Sequence, residues 1–439
     1  MSQETERPTG AGATTRPAIG EHTAAARRVL LLSPYPESLP AGVRIDAAAR
    51  AAELAGRPAL AAAYRDLAPA QAPAPTGKDA GRDAGEGRDP ESLTAAVRAF
   101  TDRVTLAPGR AGADALTALT AQGLDAPAVV ALAQICAFVS YEARVDAGLA
   151  LLTGGTAAEA PGAPGAPAVP GAPEGPEALD AAAGADEATP EAPFTLDQLT
   201  WRPRIPAVDA DALTPEQRAV IDAHATLSTG SPYYRTLLHH PAALDHRTHV
   251  YNAIMYGRGG LPRAERELAT LVVSRVNGCV YCASVHGRKY AQLARDEARA
   301  LRVLREGAAA FAGPDGTYGM DGTDAPGRTY GTDAPYRTDT PIADPRAAAV
   351  ARFAEAQTRT PPQAGAGHLA ALRAAGLGDA ELVDLVHAVA LFGWANRLML
   401  VLGDAHHPGP PPQHTGVPGT AARESCSGTS VPAPRTGGA

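Results

Sequence analysis

An internal repeat without gaps constrains this chain more than any other feature. Residues 97–145, VRAFTDRVTLAPGRAGADALTALTAQGLDAPAVVALAQICAFVSYEARV, align with residues 350–398, VARFAEAQTRTPPQAGAGHLAALRAAGLGDAELVDLVHAVALFGWANRL. Phe100 falls opposite Phe353, Pro108 opposite Pro361, Gly123-Leu124 opposite Gly376-Leu377, and Arg144 opposite Arg397. Shared Ala richness produces Ala-on-Ala matches, but not Phe, Pro, Gly-Leu and Arg in one register, so a duplication is the economical reading. The chain must therefore make one fold twice. Both copies read as helical: AELVDLVHAVALFGWANRLMLVLG at 380–403 is apolar nearly all round, the mark of a buried helix. LPRAERELATLVVSRVNG, from Leu261, has a Pro in its first turn, places Leu268, Leu271, Val272 and Val276 on one face, and stops at Asn277-Gly278. Residues from Cys279 to about Glu306 continue as helix with no internal breaker. Strand-like alternation is absent. The expected fold class is all-α, two tandem helical copies.

Between and around the copies lie tracts with little to bury. The chain has 439 residues, too many for one typical domain, and its 45 Gly and 40 Pro exceed what a chain folded end to end carries. Residues 1–28 and 409–439 read as disordered tails, and 153–193 as a Pro/Ala/Gly-rich linker. Residues 313–344, which repeat their own TYG and TDAP units, read as a flexible insertion that loop-closure entropy tolerates. Two domains remain, 29–152 and 194–408. Cys426 falls in a tail and is given no role; Cys136, aligned with Val389, reads as a small core residue.

A formal net charge of −8 gives no electrostatic reason to expect nucleic acid or an anionic membrane as partner. Glu142, Asp384, His387 and Arg397 interrupt the longest apolar runs, and MSQETERPTG lacks a basic region followed by an apolar core. The expectation is a soluble, cytoplasmic protein that takes a small-molecule substrate. In a reducing compartment a close cysteine pair is catalytic or metal-binding rather than a structural bridge.

That pair lies in NGCVYCASVH, residues 277–286. The Asn277-Gly278 break sets Cys279 at a helix start, where unpaired amides and the helix dipole favour a thiolate. Cys282 is three residues on and His286 four further, so all three line one helical face. Glu267, on the preceding helix, is either a solvated residue of RERE or the carboxylate that orients His286. Zinc would need four ligands, or three and water; no second C-x-x-C or Cys/His pair stands nearby, and His239-His240 reads as a loop before Pro241. Neither metal nor cofactor is expected.

ERELATLVVSRVNGCVYCASVHGRKY resembles the signature of the carboxymuconolactone decarboxylase and AhpD-like alkylhydroperoxidase superfamily: a Glu, an Asn before the first Cys, C-x-x-C, then His four residues later. FTLDQLTWRPRIP and LTPEQRAVIDAH resemble the opening segment of its peroxidase-related members, so the likeness spans about 194–408 without the insertion. The first half is similar to a companion branch. The resemblance implies a peroxidase in which Cys282 is the peroxidatic thiolate and Cys279 the resolving thiol. His286 then relays a proton towards Glu267, an external dithiol is the reductant, and the chain forms a homo-oligomer. Tyr281 stands where some members have His. A shift of 140 residues sets Val139, Glu142 and Asp146 opposite Cys279, Cys282 and His286, which leaves the first half without a redox pair. A decarboxylase or lactone-type enzyme of the same superfamily, which needs no vicinal thiols, and a non-catalytic redox sensor are the alternatives.

Overall fold

The computed structural model describes residues 16–67, 90–154, 194–312 and 342–407. Most of both tails, the linker and nearly all of the insertion lie outside these residues. The first half consists of α1 (Pro17–Leu32), α2 (Ala41–Leu54), α3 (Pro58–Arg65), α4 (Pro90–Leu106), α5 (Ala113–Ala121) and α6 (Ala126–Leu152). The second half consists of α7 (Pro215–Ala223), α8 (Pro232–Leu237), α9 (Pro241–Met255), α10 (Arg263–Val276), α11 (Val280–Ala294), α12 (Glu297–Glu306), α13 (Pro345–Thr358), α14 (Ala366–Ala374) and α15 (Asp379–Leu402). The fold is all-α. Among the described residues the strands are β1 (Thr200–Pro203) and β2 (Gly403–His406), an antiparallel ribbon that returns the chain end onto the segment before α7.

Two expectations are corrected. Residues 17–28, assigned to a disordered tail, form most of α1, where Pro17 opens the helix and Ile19, Ala26, Leu30 and Leu31 are buried; only four apolar anchors in an Ala-rich stretch made the segment look unstructured. The helix expected from Cys279 to about Glu306 is two helices. Arg295 adopts the left-handed conformation (φ 54°) at the end of α11, and the Asp296 side chain caps α12 by accepting from Arg299 N.

The repeat reappears as a two-fold seam. α6 and α15 pack along one another, both buried on nearly every face, and their inner residues form one hydrophobic cluster with the cores of both halves. Length and apolarity alone would let either helix cross a membrane, yet 89% and 94% of their most apolar windows are buried inside the protein. Gly148 makes the close approach possible, since a Cβ there would lie 2.6 Å from Val386 Cγ1. Contacts across the seam come in matched pairs, as a two-fold interface requires. Arg144 Nε donates to Thr358 O at 3.1 Å and Arg397 Nη2 to Thr105 O at 2.8 Å, residues equivalent in the repeat. Trp394 Nε1 donates to Gln134 Oε1 at 2.8 Å, while Tyr141 Oη lies 3.3 Å from His387 Nδ1, again a reciprocal pair. Both arginines are fully buried, without a carboxylate partner among the described residues. Burial drives Arg144 far below the usual guanidinium range and Arg397 down to about 10.

Candidate functional site around the thiol pair

α10 stops because Gly278 takes a left-handed turn (φ 75°) that residues with a Cβ rarely adopt. Gly278 N donates to Arg275 O at 3.1 Å and Cys279 N to Ser274 O at 2.8 Å, which together satisfy the last carbonyls of the helix. Cys279 is thereby the residue from which α11 departs. Cys282 and His286 follow on the inward face of α11. Exposure is 2% for Cys279, 7% for Cys282, 7% for His286 and 0% for Glu267, so the set is enclosed by protein.

The structure brings all four sequence-selected residues together. Cys279 and Cys282 approach to 3.3 Å, unbridged. A hydrogen bond from Cys279 pulls the Cys282 thiol below its ordinary value of 9.0 in spite of burial, with further pull from the charge of His286, the Asn396 side chain and Arg247. Burial pushes the Cys279 thiol well up, and its bond to Cys282 pushes it further. The two shifts have opposite directions, and the hydrogen bond from Cys279 favours Cys282 as the sulfur that ionises.

Behind Cys282, His286 Nδ1 lies 2.6 Å from Glu267 Oε2, and the His286 ring stands edge-on to Phe392 with centroids 4.4 Å apart. Arg263 Nε donates to Glu267 Oε1 at 2.5 Å. Burial favours a protonated Glu267, but His286 and Arg263 together hold its carboxyl below the usual range. Arg263 also lines a surface depression of about 230 Å³ with Tyr256 and Pro262, so the chain His286, Glu267, Arg263 runs from the thiols to the surface.

Three residues that sequence reasoning missed complete the site. Asn396, fully buried on α15, bonds to the thiol pair; its Nδ2 donates to Ser274 Oγ at 3.1 Å and its Oδ1 accepts from Asn277 at 3.0 Å. Asn396 is one of several polar residues in this largely apolar helix, with Asp384, His387 and Arg397, so composition alone did not single it out. Tyr233, on α8, is close enough for both thiols to influence its hydroxyl, which burial raises far above the ordinary phenol range. Arg247, on α9, lies between the rings of Tyr233 (5.8 Å) and Trp394 (5.9 Å). Tyr233 Oη and Arg247 Nε are buried without a hydrogen-bond partner among the described residues, which is unusual for polar atoms in a core. No local sequence pattern advertised Tyr233 or Arg247. Tyr281, beside the pair, packs half-buried on the core.

The first-half counterpart of this site is not Val139, Glu142 and Asp146. Pro40 and Pro262 precede α2 and α10 with the same backbone angles, each after a leucine, and Arg44 and Arg266 fold back in the same way onto carbonyls before their helices. Gly56 (φ 71°) then repeats the turn of Gly278, with Gly56 N donating to Glu53 O at 2.8 Å and Arg57 N to Ala52 O at 2.9 Å. Counting from these glycines, Arg57, Leu60 and Tyr64 stand where Cys279, Cys282 and His286 stand. The shift of 140 residues laid α6 over α11, whereas α6 is equivalent to α15. The conclusion that this half has no redox pair is unaffected. Cys136 is buried and free, its thiol pushed up to about 12 by burial, and Cys426 lies outside the described residues.

Residues 241–321, which include α9 to α12 and the thiol pair, match the carboxymuconolactone decarboxylase family. No curated protein and no solved structure matches the chain.

Proposed function

We propose, on the premise that residues 241–321 are a domain of the carboxymuconolactone decarboxylase family, that the chain is a thiol-dependent peroxidase reducing alkyl hydroperoxides or hydrogen peroxide. The observation that carries this reading is the polarised thiol pair: Cys282 lowered by a hydrogen bond from a Cys279 that burial holds protonated. An enclosed Cys282 whose thiol is lowered, 3.3 Å from a second thiol and on the same helix as a His–Glu pair, offers the thiolate nucleophile that peroxide chemistry requires.

In the first step the Cys282 thiolate attacks the terminal oxygen of ROOH. A sulfur–oxygen bond forms, the O–O bond breaks, and the departing alkoxide takes a proton relayed through His286, leaving ROH and the sulfenic acid of Cys282. Glu267 stabilises the imidazolium before that transfer and fixes the ring afterwards, as a buried carboxylate behind a histidine does. Cys279 then attacks the sulfenic sulfur. The S–S bond forms, hydroxide leaves as water with the Cys279 proton, and two electrons have passed from the thiols to the peroxide. An external dithiol restores the pair by exchange. The unpartnered Tyr233 hydroxyl and Arg247 supply donors for the peroxide oxygens, and Asn396 steadies both sulfurs. A cytoplasmic location, a homo-oligomer and a division into a redox-active and a redox-silent domain belong to the same reading.

Stopped-flow consumption of cumene hydroperoxide and hydrogen peroxide by the reduced chain, with thiol counting, tests it. The expected result is loss of two thiols per peroxide and turnover once a dithiol is supplied, both abolished in Cys282→Ser. Thiol loss that no dithiol recycles would replace the enzyme with a redox sensor. Decarboxylation or lactone turnover that persists in Cys282→Ser would put the chain with the thiol-independent chemistry of the superfamily.

A further inference from the structure

On a face of α9 away from the thiols, five residues from three helices converge. Asp245, His246 and His249 lie on α9, His224 ends α7, and His22 comes from α1 of the first half. His224 Nε2 is 2.7 Å from Asp245 Oδ1, and His249 Nε2 is 3.7 Å from that same oxygen. His246 Nδ1 is 3.5 Å from Asp245 Oδ2 and 3.2 Å from His22 Nδ1. The His22 and His249 rings stack at 3.9 Å with 10° between their planes. Four imidazoles thus surround one carboxylate.

As a hydrogen-bond cluster the group is poorly matched, because one carboxylate cannot neutralise four imidazolium ions and neutral rings at these distances oppose lone pair to lone pair in some tautomer pairs. As a ligand set it is well matched. We propose that His224 Nε2, the Asp245 carboxylate and His249 Nε2 bind a divalent ion of the zinc class, with His22 stacked on His249 to hold its ring. The three ligand atoms lie within 4.8 Å of one another. Two ligands about 2.0–2.1 Å from a tetrahedral ion stand roughly 3.3 Å apart, and the 3.7 Å spacing of His249 and Asp245 is close to that. The 2.7 Å contact of His224 with Asp245 is the hydrogen bond that the ion replaces as the two atoms open by a few tenths of an ångström.

The donor types choose the class. Two imidazoles and one carboxylate suit zinc, cobalt or nickel and disfavour calcium and magnesium, which take oxygen ligands. His224 is 3% exposed and anchors the floor of the site, while the His249 side chain is 43% exposed and leaves a path for the ion and a position for water. A bound ion would pin the end of α7 to α9. Sequence reasoning expected no metal because it sought a Cys/His pair near the thiols; here His224 ends one helix while Asp245 and His249 lie on another, a spacing that follows no local metal motif.

The test uses the full chain, stripped with a chelator, dialysed against zinc or cobalt, and assayed by mass spectrometry for metal and by visible absorption for cobalt geometry. One equivalent is expected to remain in the wild type and in the Cys279→Ser/Cys282→Ser variant, with a four- or five-coordinate cobalt spectrum that lacks a thiolate charge-transfer band. Affinity is expected to fall at least 100-fold in Asp245→Asn and in His249→Gln, the latter a half-exposed change that leaves the core intact; even an outer partner of a metal ligand is worth about 10–100-fold. No retained metal in the wild type, retention in His224→Gln/His249→Gln, or loss on removing the cysteines would each overturn the proposal. The last would move the ion to the thiol pair and count against the peroxidase reading, whereas the first two leave that reading untouched.

Discussion

The two halves make the same turn and use it differently. Around Gly278 the second half presents Cys279, Cys282 and His286; around Gly56 the first presents Arg57, Leu60 and Tyr64. Even the carboxylate has an analogue, since Tyr64 Oη donates to Glu142, which Arg27 also holds, much as Glu267 is held between His286 and Arg263. The difference is one of proton chemistry. Burial raises Tyr64 well above the ordinary phenol range, so it donates a hydrogen bond but does not give up its proton near neutrality. An imidazole does both. The backbone sets where a relay stands, and a single side chain decides whether it can run.

Substitutions can break this comparison, and the largest effect is expected at the sulfur. Cys282→Ser should take peroxide reduction to background with little change in unfolding free energy, while Leu60→Ala in the first half should cost about 2–5 kcal/mol of stability and leave the turnover of the folded protein intact. A peroxidase rate that survived Cys282→Ser would end the distinction between the halves. Next is the relay. Glu267→Gln should lower kcat/KM by roughly 10²-fold or more, the usual size of a general acid–base contribution, and Tyr64→Phe should leave it unchanged in the same assay.

The seam offers a sharper test of symmetry. Arg144→Met and Arg397→Met each strand carbonyls that the guanidinium now satisfies, so each should destabilise by about 1–3 kcal/mol in urea unfolding, and by similar amounts if the two-fold match is energetic as well as geometric. Asn396→Ala should move the pH profile of iodoacetamide alkylation of Cys282 upward, because a hydrogen bond that lowers the thiol is lost. In the intact protein the inflection should lie below 9.0. The smallest effect concerns acid. Glu267 is held below its ordinary value of 4.5, so its contribution to stability is complete above that pH and fades as pH falls through the lower folded value. Glu267→Gln should flatten that part of the stability curve.

The helices, the duplication and the thiol segment were legible because each has a local signature: periodicity, a shared register of unlike residues, and a spacing that lines one helical face. Glu267 was legible only as one of two readings, until its helix folded back against α11. Asn396, Tyr233 and Arg247 were not legible, since they reach the thiols from α15, α8 and α9 by packing that no local pattern encodes. The same holds for the histidines around Asp245, where three separate helices meet. The break at Arg295 was missed because its signal is a residue other than Gly in a left-handed conformation, which sequence rarely announces.

Arg144 belongs to the half without the thiol pair, yet it grips the carbonyl of Thr358, whose hydroxyl lies 3.3 Å from Asn277 Nδ2, next to the turn that presents Cys279. The copy without the thiol pair is therefore a brace for the copy that holds it, two bonds from the turn that presents Cys279. If the proposed peroxidase reaction holds, inherited changes in the first copy register as defects of the second, and selection on one reaction maintains two folds.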